Sequence, residues 1–217
     1  LEETARMAVD LANGDPIKDN YCDPIDYEVS RPLAADKTVK GLYSGGSLAA
    51  EAGMLIAEAL NLGGLIKEEG YILKTGGYEV VDLGDDVYTQ GKPHPMIDPE
   101  VRIKKILECA KDPQTGVILL VCMLGYGCHP DMAGALAPAI REAQKIAKAD
   151  GRELYFVASV CGTRQDPQDY DRAVAELKEC GVLVEESNAR AIRLALKLKG
   201  IDYKEDFLSK VQLMAFL

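Results

Sequence analysis

The sequence predicts an α/β domain built on a parallel β-sheet. Three observations point there. Apolar runs too short for helices alternate with amphipathic stretches of helical period. The longest run, Gly116 to Leu124, is apolar on both faces, as suits a central strand covered by helices above and below. Glycines or polar residues follow each run before the next helical stretch begins. Alternation of this kind gives right-handed crossovers, and five such units suit the doubly wound, flavodoxin-like strand order 2-1-3-4-5.

The elements follow in order. Residues 1–13 carry a helical pattern (Leu1, Ala5, Met7, Ala8, Leu11, Ala12) that stops near Gly14-Asp15-Pro16. From there to residue 37 the chain is polar and proline-rich, an irregular N-terminal arm or linker. The first strand, Val39 to Tyr43, ends in Ser44-Gly45-Gly46-Ser47, and a helix from Leu48 to Leu60 follows. Glu79 to Leu83 is the second strand. The loop after it leads to Asp98-Pro99-Glu100, where Asp caps a helix, Pro takes its first position and the acid its first turn; that helix runs to Lys111. The third strand begins at Thr115. Pro138 should not lie deep inside a helix, so a turn is expected over 131–136 and a helix from Ala137 to Lys148. Leu154 to Val160 is the fourth strand, and Pro167 opens a helix to Cys180. Val182 to Val184 is the fifth strand, and Ser187-Asn188 caps a last helix to Lys199. The expected organisation is an arm over 1–37, one domain over 38–200, and an apolar tail over 201–217 that packs on the body or a partner.

Bulk properties bound the function. With 217 residues, 47% of them hydrophobic, the chain can bury one substantial core. A net charge of −10 argues against a broad nucleic-acid or anionic-membrane surface, but not against a local anion site. No stretch reaches the roughly 18 apolar residues of a membrane span. The acidic start, Leu1-Glu2-Glu3, is unlike a signal peptide, and without Met it suggests a fragment or a processed form. The six cysteines form no Cys-x-x-Cys pair. Cys109, Cys122 and Cys180 sit in apolar periodic segments, so reduced thiols in a cytoplasm are the simplest expectation.

In a doubly wound sheet, ligands bind outside the carboxyl ends of the strands. The unusual residues fall there. Ser44, Gly45 and Gly46 make either an anion-binding turn into a helix or only a tight turn; the Walker A lysine is missing. Asp85 and Asp86 could take a divalent cation, or simply face solvent. His94, between two prolines, and His129, beside Pro130, are candidates for acid–base work or for structural hydrogen bonds; they are too few for a structural zinc. Gly125, Tyr126, Gly127 and Cys128 form a glycine loop before Asp131, which can accept from the first N–H groups of the following helix. Gly162, Thr163 and Arg164 follow the fourth strand, where the planar guanidinium suits a phosphate or carboxylate, or else a salt bridge to Asp166 or Asp131. Cys128 and Cys161 would be nucleophiles only with a depressed pKa.

Several runs resemble the C-terminal part of the FdrA proteins: Gly41 to Leu48, Val81 to Asp86, Gly91-Lys92-Pro93-His94-Pro95-Met96-Ile97-Asp98-Pro99, and Leu124 to Asp131. So do Leu136 to Ile140, Ala158 to Thr163 and the Ser187-Asn188 cap, over roughly residues 38–198 in order. FdrA proteins are similar to succinyl-CoA synthetases, and this region looks like the C-terminal ligase domain of their β subunit, a flavodoxin-like fold. The resemblance implies acyl-phosphate chemistry, in which a histidine carries the phosphoryl group and a nucleotide receives it. It implies that the loop after the third strand holds phosphate or carboxylate, and that Cys161 to Arg164 help hold the acyl group. The family's phosphohistidine sits in a glycine-histidine-alanine setting, which neither His94 nor His129 shares, so that role is not carried over.

The nucleotide-grasp and CoA-binding domains do not fit in this chain, which is expected to supply half an active site. No cofactor is expected on this domain alone; CoA, nucleotide and Mg belong to a full assembly. The expected partners are a phosphate or carboxylate ligand, a CoA-binding domain or subunit, and further copies in an oligomer. FdrA relatives are also associated with allantoin breakdown and with carbamoyl transfer between oxamate and phosphate, a carbamoyltransferase reaction. The competing reading is a non-catalytic assembly or regulatory domain that retains the ligase fold.

Overall fold

A computed structural model of the chain describes residues 1–18 and 20–203. Most of the expected apolar tail, residues 204–217, lies outside the described residues. The elements are α1 (Glu2–Asn13), β1 (Thr38–Tyr43), α2 (Gly46–Leu60), β2 (Tyr71–Thr75), β3 (Tyr78–Asp82), α3 (Asp86–Thr89), α4 (Glu100–Lys111), β4 (Thr115–Met123), α5 (Met132–Ala149), β5 (Tyr155–Cys161), α6 (Tyr170–Glu179), β6 (Leu183–Glu185) and α7 (Asn188–Leu198).

The sheet has six strands in the order β2-β3-β1-β4-β5-β6. Without β2 this is the expected order 2-1-3-4-5, and the five remaining strands are parallel. The added strand corrects the expected count of five: β2 pairs antiparallel with β3 as a hairpin edge. Its signal was the two-residue loop Gly76-Gly77, whose φ values of 55° and 84° suit a type I′ turn.

Side chains of alternate residues point to opposite faces of each strand. Leu42, Val81, Ile118, Leu120 and Phe156 face one layer, packed against Ile106, Ile140 and Leu177 of α4, α5 and α6. Val39, Tyr43, Val80, Leu119 and Val157 face the other, against Ile56 of α2 and Ile192 and Leu196 of α7. The chain after β1 therefore crosses to one face and the chain after β4 to the other. The crevice between β1 and β4 is the topological switch point.

Four helix starts differ from expectation: α2 begins at Gly46 rather than at Leu48. α4 begins at Glu100 with Pro99 in the cap position, although the Asp98 carboxylate still accepts from the Glu100 N–H at 2.9 Å. α6 begins at Tyr170 rather than at Pro167, because Asp169 accepts from the Arg172 N–H and caps it there. α5 begins at Met132 and holds Pro138 inside it, so the turn expected over 131–136 is helix. Asp131 explains this: its side chain accepts from the Gly134 N–H at 3.0 Å and starts the helix early. Pro138 is exposed, so the hydrogen bond it removes falls on the solvent side, where water can replace it. Pro138→Ala should restore that bond and raise stability by about 1 kcal/mol. A lower midpoint in urea unfolding would contradict this account.

Residues 14–18 and 20–37 hold no helix or strand, yet they are packed. Tyr21 and Ile25 are buried, the Leu33 N–H donates to the Leu198 carbonyl at 2.8 Å, and Lys197 Nζ donates to the Ile25 carbonyl at 2.7 Å. Among the described residues no helix is long and apolar enough to cross a membrane.

Candidate functional site

The sequence candidates lie on successive loops at the carboxyl ends of the parallel strands, and contacts between loops draw several of them together. After β1, Ser44 is fully buried and its hydroxyl has no hydrogen-bond partner among the described residues. Gly45 takes the cap position of α2 in an extended conformation, with no side chain capping the helix. The first N–H groups of a helix have no partner inside it, so α2 opens with donors that its own sequence does not answer. Small residues are needed here. A Cβ on Gly45 would sit 3.2 Å from the Met96 methyl group, and one on Gly46 would sit 3.3 Å from Asp82 Oδ2.

Those contacts bring in the loop after β3. Asp82 Oδ1 accepts from the Gly84 N–H at 2.8 Å, and burial pushes the carboxyl above the usual carboxylate range. A Cβ on Gly84 would lie 2.6 Å from His94 Nε2 and 3.1 Å from Asp82 Oδ1, so only glycine lets imidazole and carboxylate flank this point. His94 Nδ1 accepts from the Met96 N–H at 3.2 Å, which assigns the proton of the neutral ring to Nε2. His129 repeats the arrangement, its Nδ1 accepting from the Asp131 N–H at 3.0 Å. The two His-Pro turns are tied together, since the His129 N–H donates to the Met96 carbonyl at 2.7 Å. Asp85 caps the four-residue α3 through the Val87 N–H, and Asp86 is the first residue of that helix. Among the described residues no group of three or more His, Cys, Asp or Glu could hold a metal ion.

The loop after β4 uses its own donors. Gly125 and Gly127 take φ values of 128° and 82°, which only glycine adopts readily. The Gln168 amide staples the loop, accepting from the Gly125 N–H and donating to the Gly125 carbonyl, both at 2.9 Å. Asp131 gives one oxygen to the α5 cap and the other to Arg172 at 3.2 Å. Tyr126 is 91% exposed and so is free to meet another surface. Burial, with Asp166 nearby, pushes the Cys128 thiol up, and the same causes raise Cys161, so neither is an activated nucleophile.

The loop after β5 is also internally bonded. The Thr163 N–H donates to Asp166 at 2.6 Å, and Arg164 forks onto Asp171 at 2.9 and 2.8 Å, a partner not foreseen for it. Gly162, Thr163 and Arg164 line an open cavity of about 790 Å³ with Tyr170 and Lys178. This region stands apart from the Ser44–Asp82–His94 cluster.

Four contributors were missed in the sequence. Gln168 drew no notice because its partner Gly125 lies on another loop, and Asp82 and Arg102 belong to no motif that singles them out. Asn188 read as part of a cap, yet it ties α7 to α2: its amide donates to the Leu48 carbonyl at 3.1 Å and to Glu51 at 2.8 Å, and it accepts from the Tyr43 hydroxyl at 3.0 Å.

A family model described as CoA-ligase matches residues 42–198, from the end of β1 to the end of α7. A protein of Escherichia coli (strain K12) named "Uncharacterized protein YahF" is 34% identical over 184 residues, which cover 78% of this chain. The matched stretch is 36% of the length of YahF, so the chain spans about a third of the relative it matches.

Proposed function

The chain belongs to the CoA-ligase family, and from that premise we propose that it is the ligase-type domain of an FdrA-like acyl-CoA synthetase relative, binding phosphate or a small carboxylate at the start of α2. The single observation that carries the reading is the uncapped α2 N-terminus beside the buried, unpartnered Ser44 hydroxyl. A helix start offers N–H donors and a positive dipole end to an anion. The loops after β4 and β5 offer less, since their acids and amides already satisfy much of what they present. Ser44, Gly45 and Gly46 then hold the anion, while Gly125, Tyr126, Gly127, Cys128, Asp131, Gly162, Thr163 and Arg164 belong to the next two loops along the same carboxyl edge of the sheet.

Acyl-phosphate chemistry moves a phosphoryl group between two anionic oxygens. Donors fixed at the phosphoryl position stabilise the charge that builds up on it. His94 Nε2–H, beside Asp82, would donate to an oxygen of that group. Asp85 gives one oxygen to the α3 cap, and Asp86 is the first residue of that helix. CoA, nucleotide and Mg would enter with a CoA-binding domain or subunit, in an oligomeric and cytoplasmic assembly. Within this reading, acyl-CoA ligation and carbamoyl transfer between oxamate and phosphate stand as alternatives. The competing reading, a non-catalytic assembly or regulatory domain, draws on the same internally bonded loops.

Titrating the chain with inorganic phosphate in a calorimeter tests the site. Saturable binding in the millimolar range or tighter is expected, together with a higher thermal midpoint. An absence of both overturns the site and favours the assembly reading. With partner chains present, acyl-CoA formation against carbamoyl phosphate formation separates the two chemistries.

A further inference from the structure

Arg102, on the first turn of α4, has a fully buried side chain. Its Nη2 donates to the Val121 carbonyl at 2.6 Å, while Nε and Nη1 are buried without a partner. Among the described residues no carboxylate lies within ion-pair distance of it. Burial lowers its pKa to about 10, which leaves it a cation at neutral pH. Buried arginines ordinarily fork onto an acid or several carbonyls, because an uncompensated charge in the core is among the costliest groups to bury.

The location of the charge is specific. Val121 and Cys122 lie near the end of β4, and the Leu42–Leu120 register sets the end of β1 beside them. The Cys122 thiol feels the charges of both Arg102 and Asp131. The cation thus lies against the carboxyl end of β4, on the strand that borders the switch point. The acids at this edge are engaged elsewhere, Asp131 with the α5 cap and Arg172, Asp82 with the Gly84 N–H.

We infer that Arg102 is a positioning residue for an anionic ligand, its buried guanidinium supplying a positive field at the switch point between β1 and β4. It does so through the sheet and not by contact, because the unpartnered nitrogens are out of reach of solvent. The field adds to the dipole of α2 and is little screened by salt, since protein surrounds it. The ligand class is a small oxyanion, phosphate or carboxylate. The inference rests on the α2 start being an anion site.

Inorganic phosphate is titrated into the wild-type chain, Arg102→Met and Arg102→Lys, with the thermal midpoint of each recorded. Arg102→Met is expected to fold with an unchanged or higher midpoint and to bind phosphate about 10-fold more weakly, the order of effect of one buried charge on a nearby anion. Arg102→Lys, measured at about pH 6 so that a buried amine stays charged, should recover most of the affinity. If the wild type does not bind phosphate, the site itself fails and the inference with it. If the wild type binds and Arg102→Met binds equally well, only the inference fails. A large fall in midpoint or a loss of folding in Arg102→Met makes the residue a structural support and also overturns it, as does Arg102→Lys binding no better than Arg102→Met.

Discussion

Placing an acid at the start of α2 is expected to remove phosphate binding: Gly45→Asp should weaken it by about 100-fold or more, from one added charge within a few ångströms of the anion. Gly45 holds the cap position with φ −179°, extended backbone that any residue adopts, so the substitution carries no backbone strain. The new carboxylate would accept from the free N–H groups of the first turn, as Asp131 does for α5 and Asp169 for α6. It would take the donors an anion needs and repel that anion as well. The Met96 methyl, 3.2 Å from the new Cβ, is the end of a flexible side chain and can give way. Folding stability should stay within about 0.5 kcal/mol of wild type, because Gly is only slightly worse than Asp as a cap. Gly45→Ala is the control, since it adds the Cβ without the charge and should bind within about three-fold of wild type. Calorimetric titration of the three proteins with phosphate decides the matter, and Gly45→Asp binding like the wild type would place the anion elsewhere.

The periodic signal of a buried parallel sheet is strong, and it located five strands that suit the order 2-1-3-4-5. It passed over β2 because an edge strand buries little: Tyr71 and Ile72 are half-buried and Lys74 and Thr75 exposed, so the apolar run that marks a central strand is missing. It misplaced the start of α5 by weighing Pro138 above Asp131, although an exposed proline costs a helix less than a buried one. The carboxyl edge that carries the candidate residues was legible, since it follows from the strand order. The division of labour within it was not. Whether a glycine loop keeps free donors depends on side chains distant in sequence. Gln168 closes the loop after β4 from 43 residues away, while among the described residues no side chain caps the start of α2. Arg102 was hidden for the same reason, because burial of a charged residue depends on what covers it.

Asn188→Ala should be the most destabilising of the changes near the site, by about 3 kcal/mol, because it leaves several buried polar groups without partners at once. Asn188 is 6% exposed and Glu51 is also buried. Without the amide, Glu51 loses a buried donor at 2.8 Å, the Leu48 carbonyl loses one at 3.1 Å, and the Tyr43 hydroxyl loses its acceptor at 3.0 Å. Water cannot readily repay these bonds in a closed space, so the unfolded state gains. For a domain of this size that loss lowers the thermal midpoint by roughly 6–12 °C. The consequence reaches the site because Leu48 and Glu51 lie in the opening turns of α2, whose position relative to α7 the amide sets. Phosphate affinity should therefore fall along with stability, even at temperatures where the variant is fully folded. Gly45→Asp removes binding without unfolding, and Asn188→Ala should reduce both together. A variant that keeps its midpoint, or loses stability while binding phosphate as before, would mean that the α2–α7 contact does not hold the anion site in place.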